Sequence, residues 1–412
     1  MLEKINSFLW GNGLVFLLLI TGFVYTIRLR FIQIKAVPYV VRMIFRKTKP
    51  ENSGLNQCKT VCLALGTAMG TGNITGVSAA LAIGGAGAVF WMWVSAFLGM
   101  ALVYAENSLS AIFSDREYRG PMAYISKGLG SRKLALCFAV FCLLASLGMG
   151  GMVQVNAVSE SINVSGKFLA PIVFIIILLI VSGGTKRIGS VAHVLLPIAS
   201  LLYVAACIFI LSRHLSALPN AFSAIFRSAF GFRQTIGGFS GTVISRSVSV
   251  GIRRGIFSNE AGLGSSPLLH SASESNNSEM QGMCSMFEVF LDTIVCCTLT
   301  AVTLLCAAPD FSVSTAFSTL PGGIGDNFIA AELSVFALCT IIGWYYCGET
   351  AFRFITPSVG TKGFCIIYAA ISALGAVLHS EMVWTLSDIF NGLMAFPNLC
   401  ALLLLIKKVK RE

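Results

Sequence analysis

Residues 66–76 read Gly-Thr-Ala-Met-Gly-Thr-Gly-Asn-Ile-Thr-Gly and interrupt a run that is otherwise apolar from Thr60 to Gly84. Four glycines and three threonines among eleven positions make a poor continuous helix, since each interior glycine costs about 1 kcal/mol relative to alanine. The whole run is nevertheless near the ~20 residues that cross a bilayer. Irregular backbone at membrane depth survives only where it is buried in protein or lines a cavity, so the stretch predicts a polar site inside a membrane protein. Residues 255–264, Gly-Ile-Phe-Ser-Asn-Glu-Ala-Gly-Leu-Gly, end a second apolar run in the same way. One such stretch alone reads equally well as close helix packing through small residues; two in matching positions favour a site. The GTGN segment has the look of a phosphate loop, but no strand precedes it and no GK[ST] follows.

The composition around these breaks belongs in lipid. Of 412 residues, 56% are hydrophobic and 11% charged, against about 25% charged in soluble domains, and the mean hydropathy is +0.81. Disorder, secreted disulfide scaffolds and ordinary cytosolic enzymes are excluded. The net charge of +11 is scattered between apolar runs, which reads as membrane topology and not as a nucleic-acid surface. Cutting at Gly, Pro and charge gives eleven expected spans, at 9–30, 60–84, 87–113, 134–162, 168–184, 191–212, 235–257, 281–307, 328–352, 363–379 and 384–406. With the N-terminus outside, 23 of the 29 Lys and Arg fall on the inner side and five on the outer. The positive-inside rule therefore predicts N-out and C-in. A signal peptide is rejected, because the first apolar stretch is long and leads into a basic stop-transfer segment from Arg28 to Lys49.

Setting the first span aside leaves two groups of five, each beginning with a breakable span. An odd number per half makes the second half cross in the opposite sense. Inverted repeats with discontinuous helices in corresponding places point to a secondary transporter's midplane site. Half-helix N-termini there suit a carboxylate, and freed carbonyls suit Na+ or an ammonium group.

The thirteen Cys lie mostly inside spans without CxxC pairs, and His193, His214, His270 and His379 are dispersed, so neither a disulfide framework nor a zinc site is expected. Cys296 and Cys297 read as packing. Glu106, Glu160, Arg246, Glu288, Asp292, Glu332, Glu349 and Asp388 fall inside spans, where a charge costs about 2.5–3.5 kcal/mol and needs a partner or a function. Glu288 and Asp292, four apart, share a helix face; pairing with Arg246 or another basic group, plus hydrogen bonds to broken-helix backbone, is expected, a proton or cation relay being the alternative. Glu260 either caps exposed N–H groups or lines the inner gate. Arg187, Arg253 and Arg254 are expected where helices meet the cytoplasm, and Trp91 and Trp93 as interface anchors.

Seven blocks in chain order resemble the alanine or glycine:cation symporter family, the bacterial and archaeal sodium:alanine symporters. They are GTGNITGV at 70–77, GGAGAVFWMWVSAFLGM at 84–100, GPMAYISKGLG at 120–130, GMVQVN at 151–156, RRGIFSNEAGLGSSP at 253–267, IIGWYYCGE at 341–349 and NGLMAFPN at 391–398. The resemblance implies an all-α integral membrane protein of eleven transmembrane helices with a leucine-transporter-like five-plus-five inverted repeat. The whole chain, 1–412, would be one transporter domain: an extra helix at 9–30, repeat one at 60–212 and repeat two at 235–406. By the same resemblance Thr71, Gly72, Asn73 and Gln154 surround the substrate carboxylate. Phe257, Ser258 and Asn259 offer carbonyls to its ammonium, and Trp344 walls the side-chain pocket. Carbonyls of Gly66, Thr67, Met69 and Gly70, facing Cys339 and Thr340, would hold Na+.

Three departures stand out: Gly151 where the family usually has Asn, Cys339-Thr340 where it often has a Thr pair, and GWYYCGE, with Tyr345 and Cys347. A thiol is a poor ligand for hard Na+. The expected function is Na+-coupled symport of alanine, glycine or a similar small neutral amino acid by alternating access, in a bacterial inner membrane. No cofactor beyond the coupling ion, no enzymatic chemistry and no nucleic acid is expected; the partners are substrate, Na+ and lipid. A proton-coupled or uniport carrier, and a non-transporting amino acid sensor, are the alternatives.

Overall fold

The computed structural model describes residues 2–10, 12–35, 38–39, 55–115, 117–162, 164–231, 240–275 and 277–409. The start of the seventh expected span and several of the basic residues counted for topology, among them Arg42, Arg46, Lys47, Lys49 and Arg233, lie outside these. Among the described residues the chain is helical, and an isolated parallel bridge joins Leu55 to Ser273.

The helices are α1 (Leu2–Leu9), α2 (Asn12–Arg28), α3 (Gln57–Ala68), α4 (Thr75–Gly84), α5 (Gly87–Phe113), α6 (Arg132–Ser161), α7 (Gly166–Val181) and α8 (Gly184–Arg213). Then come α9 (Leu218–Phe230), α10 (Ser240–Asn259), α11 (Ser265–His270), α12 (Ser278–Ala307), α13 (Gly325–Ile355), α14 (Lys362–Leu374) and α15 (Ser380–Leu404). Most helices fall on the expected spans with their ends moved by up to seven residues, while α9, α11 and all but the last residue of α1 lie outside those spans. Six of them, α5, α6, α8, α12, α13 and α15, are long and apolar enough to cross a membrane, so this is a multi-pass membrane protein. Asn56 caps α3 by accepting from Lys59 N at 2.8 Å, and Asn277 caps α12 by accepting from Met280 N at 2.8 Å.

The centre of the molecule is α5 and α13, buried without interruption over residues 99–110 and 339–349. At the periphery, Ile172, Ile175 and Leu179 of α7 and Val194, Ile198 and Leu201 of α8 stand exposed. An exposed apolar face of this size marks a membrane or protein contact. Helix α9 was not anticipated; it occupies what the sequence suggested was outer loop. Its backbone sits on Gly87, where a Cβ would come within 2.6 Å of Ala229 N, and its Phe226 and Phe230 pack with Phe90, Trp91 and Trp93.

Both expected breaks are present. Helix α3 closes at Met69, whose N–H reaches Leu65 O at 2.7 Å, and Thr71–Asn73 form a single 3₁₀ turn before α4. Beyond α10 the backbone turns left-handed at Glu260 (φ 56°), Gly262 (φ 85°) and Gly264 (φ 86°) before α11 begins. A Cβ on Gly264 would lie 2.7 Å from Pro121 Cγ and 3.0 Å from the Phe138 ring. Gly264→Ala therefore adds left-handed strain of about 1–2 kcal/mol to overpacking of about 1–3 kcal/mol. We expect a lowered unfolding midpoint in detergent; an unchanged midpoint would mean that this turn does not fix the second break.

Two further irregularities lie in continuous helices. Residues Ser146–Met152 of α6 and Phe290–Cys297 of α12 are π-helical, a widening often found at functional sites. Within the first, Gly150 and Gly151 admit α13 and α14: added Cβ atoms would come 2.2 Å from Trp344 Cβ and 2.2 Å from Ser372 Oγ. The glycine that departs from the family pattern at 151 thus has a packing reason.

Candidate functional site

The two breaks lie side by side. A Cβ built on Gly72 would sit 3.6 Å from both the Phe257 ring and Ser258 Cα, and Thr71, Gly72, Asn73, Ser258 and Asn259 are all buried. From α6, Gln154 reaches the first break: its Oε1 accepts from Thr71 N at 3.3 Å and Thr71 Oγ1 at 3.2 Å, while its Nε2 donates to Met149 O in the π segment at 3.2 Å. One free N–H of the broken helix is thereby held by a side chain that a carboxylate could replace.

Asp292 joins the breaks. Its Oδ1 accepts from Asn73 Nδ2 at 2.7 Å, and its Oδ2 accepts from Ser258 Oγ at 2.8 Å and Thr293 Oγ1 at 2.7 Å. Asn259 Nδ2 in turn donates to Thr293 Oγ1 at 3.2 Å. Cys297 faces the same point, its Sγ 3.4 Å from Asn73 Nδ2 and 3.3 Å from Ser258 Oγ, so it does more than pack. A buried carboxylate costs several kcal/mol in lost hydration, which these charge-assisted bonds offset in part. Among the described residues no Lys or Arg forms an ion pair with it. Asn73 Oδ1 is buried there without a protein partner.

The residues assigned to Na+ by resemblance gather on the other flank of Gly70. Thr340 Oγ1 donates to Gly66 O at 3.2 Å, and a Cβ on Gly70 would fall 2.6 Å from that hydroxyl. Cys339 approaches the same turn, its Cβ 3.2 Å from the position of a Cβ on Gly66. Met69 is buried at the end of α3, and Thr67 spends its hydroxyl on its own helix, donating to Leu63 O at 2.6 Å. Trp344 is fully buried and donates from Nε1 to Glu260 Oε1 at 2.8 Å; Glu260 Oε2 accepts from Ser265 Oγ at 2.5 Å. Glu260 therefore ties α13 across the second break to the start of α11.

Several sequence expectations are corrected. Arg246 is exposed and does not pair with Glu288 or Asp292. Those two carboxylates also part company: Glu288 receives His270 Nε2 at 3.0 Å, and Asp292 turns to the breaks. Arg253 and Arg254 do not mark the end of a span, because α10 continues past them to Asn259. They line cavities instead. One of about 250 Å³ is bounded by Trp10, Ile83, Arg253, Arg254, Phe257 and Asp388. The other, about 470 Å³, includes Thr75, Glu160, Arg254 and Trp384. Arg253 pairs with Asp388 at 3.3 Å. Arg254 lies over the Trp384 ring at 5.4 Å, and Trp384 packs on Phe257 at 5.3 Å between centroids. Arg254 borders both cavities, and the first of them reaches Phe257, just ahead of the second break.

The family model described as "Sodium:alanine symporter family" matches residues 1–412. An uncharacterized transporter of Haemophilus influenzae is 39% identical, covering 100% of this chain and 94% of its own length. The sodium/alanine symporter AgcS of Methanococcus maripaludis is 36% identical over 100% of this chain and 96% of its own. YrbD of Bacillus subtilis, named a putative sodium/proton-dependent alanine carrier protein, is 34% identical over 98% and 89%.

Proposed function

The chain belongs to the sodium:alanine symporter family, a family of transporters and not of enzymes, and on that premise we propose that it carries alanine, glycine or a similarly small neutral amino acid into the cell with Na+. The observation that carries this reading is the junction at Asp292, where both broken helices present polar groups to one buried carboxylate. A carboxylate without a cationic partner attracts a cation, and Asn73 Oδ1, orphaned beside it, is a hard oxygen ligand of the kind Na+ prefers.

Residues Thr71, Gly72, Asn73 and Gln154 hold the substrate carboxylate, Phe257, Ser258 and Asn259 face its ammonium, and Trp344 closes the far wall. Gly66, Thr67, Met69, Gly70, Cys339 and Thr340 take the coupling ion, Thr67 through its carbonyl. Asp292 either completes a second ion site or counters the substrate ammonium. The same reading has the chain cross a bacterial inner membrane eleven times, as a five-plus-five inverted repeat after one extra helix, with the N-terminus outside. The cavity beside Arg254, Glu160 and Trp384 offers charged groups of both signs to an entering zwitterion. The name of AgcS supports alanine as cargo; that of YrbD keeps proton coupling in view, as does Cys339 in the ion set.

Uptake of radiolabelled alanine and glycine into proteoliposomes tests the reading, under a Na+, K+ or proton gradient alone. Uptake is expected only with Na+, and Asn73→Leu, which removes the amide from both Asp292 and the substrate, should reduce it to background. Equal uptake under a proton gradient alone would replace Na+ coupling with proton coupling. Alanine binding with no uptake under any gradient would point to a sensor.

A further inference from the structure

Cys58 and Cys62 stand one turn apart on α3, ahead of the first break, and His193 faces them from α8. Cys58 Sγ lies 3.9 Å from His193 Nδ1, and the two sulfurs and a ring nitrogen all fall within 4.8 Å of one another. In a tetrahedral zinc site, bonds of about 2.3 Å to sulfur and about 2.0–2.1 Å to nitrogen put the ligand atoms roughly 3.5–3.8 Å apart. Small side-chain rotations bring these three to that spacing. The i, i+4 placement on one helix face is the one by which helical ligand pairs grip a metal. Cys58 is exposed and the other two half-buried, so an ion can enter from solvent and keep a fourth position for water. Lys59, next to Cys58, donates from Nζ to Ser190 Oγ of α8 at 3.0 Å, so the two helices already meet at this level. Spacing in the sequence hid the cluster, because His193 lies 135 positions from Cys58.

We infer that Cys58, Cys62 and His193 form a binding site for a thiophilic divalent cation of the zinc class, and that the ion fastens the half of the broken span preceding the break to α8. Helix α3 carries Gly66 and ends at Ala68, so an ion bridging it to α8 restrains the backbone on which the coupling-ion site is built. Slowed transport on metal binding rests on the function proposed above; the binding itself does not.

Two measurements on the full chain separate these claims. Zn2+ titrated into detergent-purified protein against a chromophoric chelator should give one bound ion, and Co2+ in its place should show a thiolate-to-metal charge-transfer band. Cys58→Ser and His193→Gln, changes at accessible positions, should each weaken binding by more than about 100-fold, since loss even of an outer-shell partner costs 10–100-fold. No saturable binding, or binding unchanged in a variant lacking all three ligands, overturns the site. In proteoliposomes, Zn2+ should slow alanine uptake by the parent protein, reversibly with chelator, and leave Cys58→Ser unaffected. Binding without slowed uptake overturns the clamp and keeps the site. Absence of any uptake without metal counts against the transport reading, and the titration still decides the site.

Discussion

Replacing Asp292 by Asn is expected to abolish coupled uptake while leaving the protein folded. The side chains are nearly the same size, but the amide carries no charge and presents a donor to Asn73 Nδ2 or to Ser258 Oγ and Thr293 Oγ1, all of which now donate to the carboxylate. Hydrogen bonds to a charged group contribute about 1.5–3 kcal/mol each. Loss of two amounts to on the order of 100-fold or more in any step that depends on the junction. Asp292→Glu keeps the charge with a longer reach and should retain part of the activity, with a raised Na+ requirement. Uptake by Asp292→Asn within about twofold of the parent would remove Asp292 from the mechanism.

Gly343→Ala should have the second large effect, through packing. A Cβ at this position would fall 1.8 Å from Thr67 Oγ1 and 2.9 Å from Thr67 Cβ, at the crossing of α3 and α13 that carries Gly66 and Thr340. Overpacking of this kind costs about 1–3 kcal/mol, and the helices can relieve it only by separating Thr340 from Gly66 O. Both the thermal midpoint in detergent and the apparent Na+ affinity should fall. Thr67→Ala in the same chain removes the closest atom and should recover a good part of both. If the double variant is no better than the single one, the crossing is not what constrains the ion site.

The sequence made the helices and the breaks readable for physical reasons. Apolar runs near 20 residues and clusters of Gly and Thr are local properties of the chain, and the backbone obeys them at residues 69–74 and 260–264. Asp292 was conspicuous as a charge inside an apolar run, yet its partners were not readable. Asn73 lies 219 positions away, and that Glu288 takes His270 while Asp292 takes the two breaks follows from no composition rule. Arg253 and Arg254 were misplaced because a pair of arginines signals a membrane boundary only when their charge has no internal outlet. Here Asp388 and the face of Trp384 provide one. Trp344 was marked through a sequence motif, but its bond to Glu260 depends on the crossing of α13 over the second break.

The bond between Asn73 and Asp292 also sets an order of events during synthesis. Chain growth at about 5–20 residues per second puts on the order of 10–40 s between the emergence of Asn73 and that of the residue 219 positions later that receives it. Throughout that interval the first broken helix must enter the membrane without its partner, its amide and freed backbone groups in want of acceptors that lipid does not offer. Water, the insertion machinery or the early neighbour Gln154 must shelter it until α12 arrives. The polar junction between the two breaks is therefore incomplete until more than half of the chain has been made.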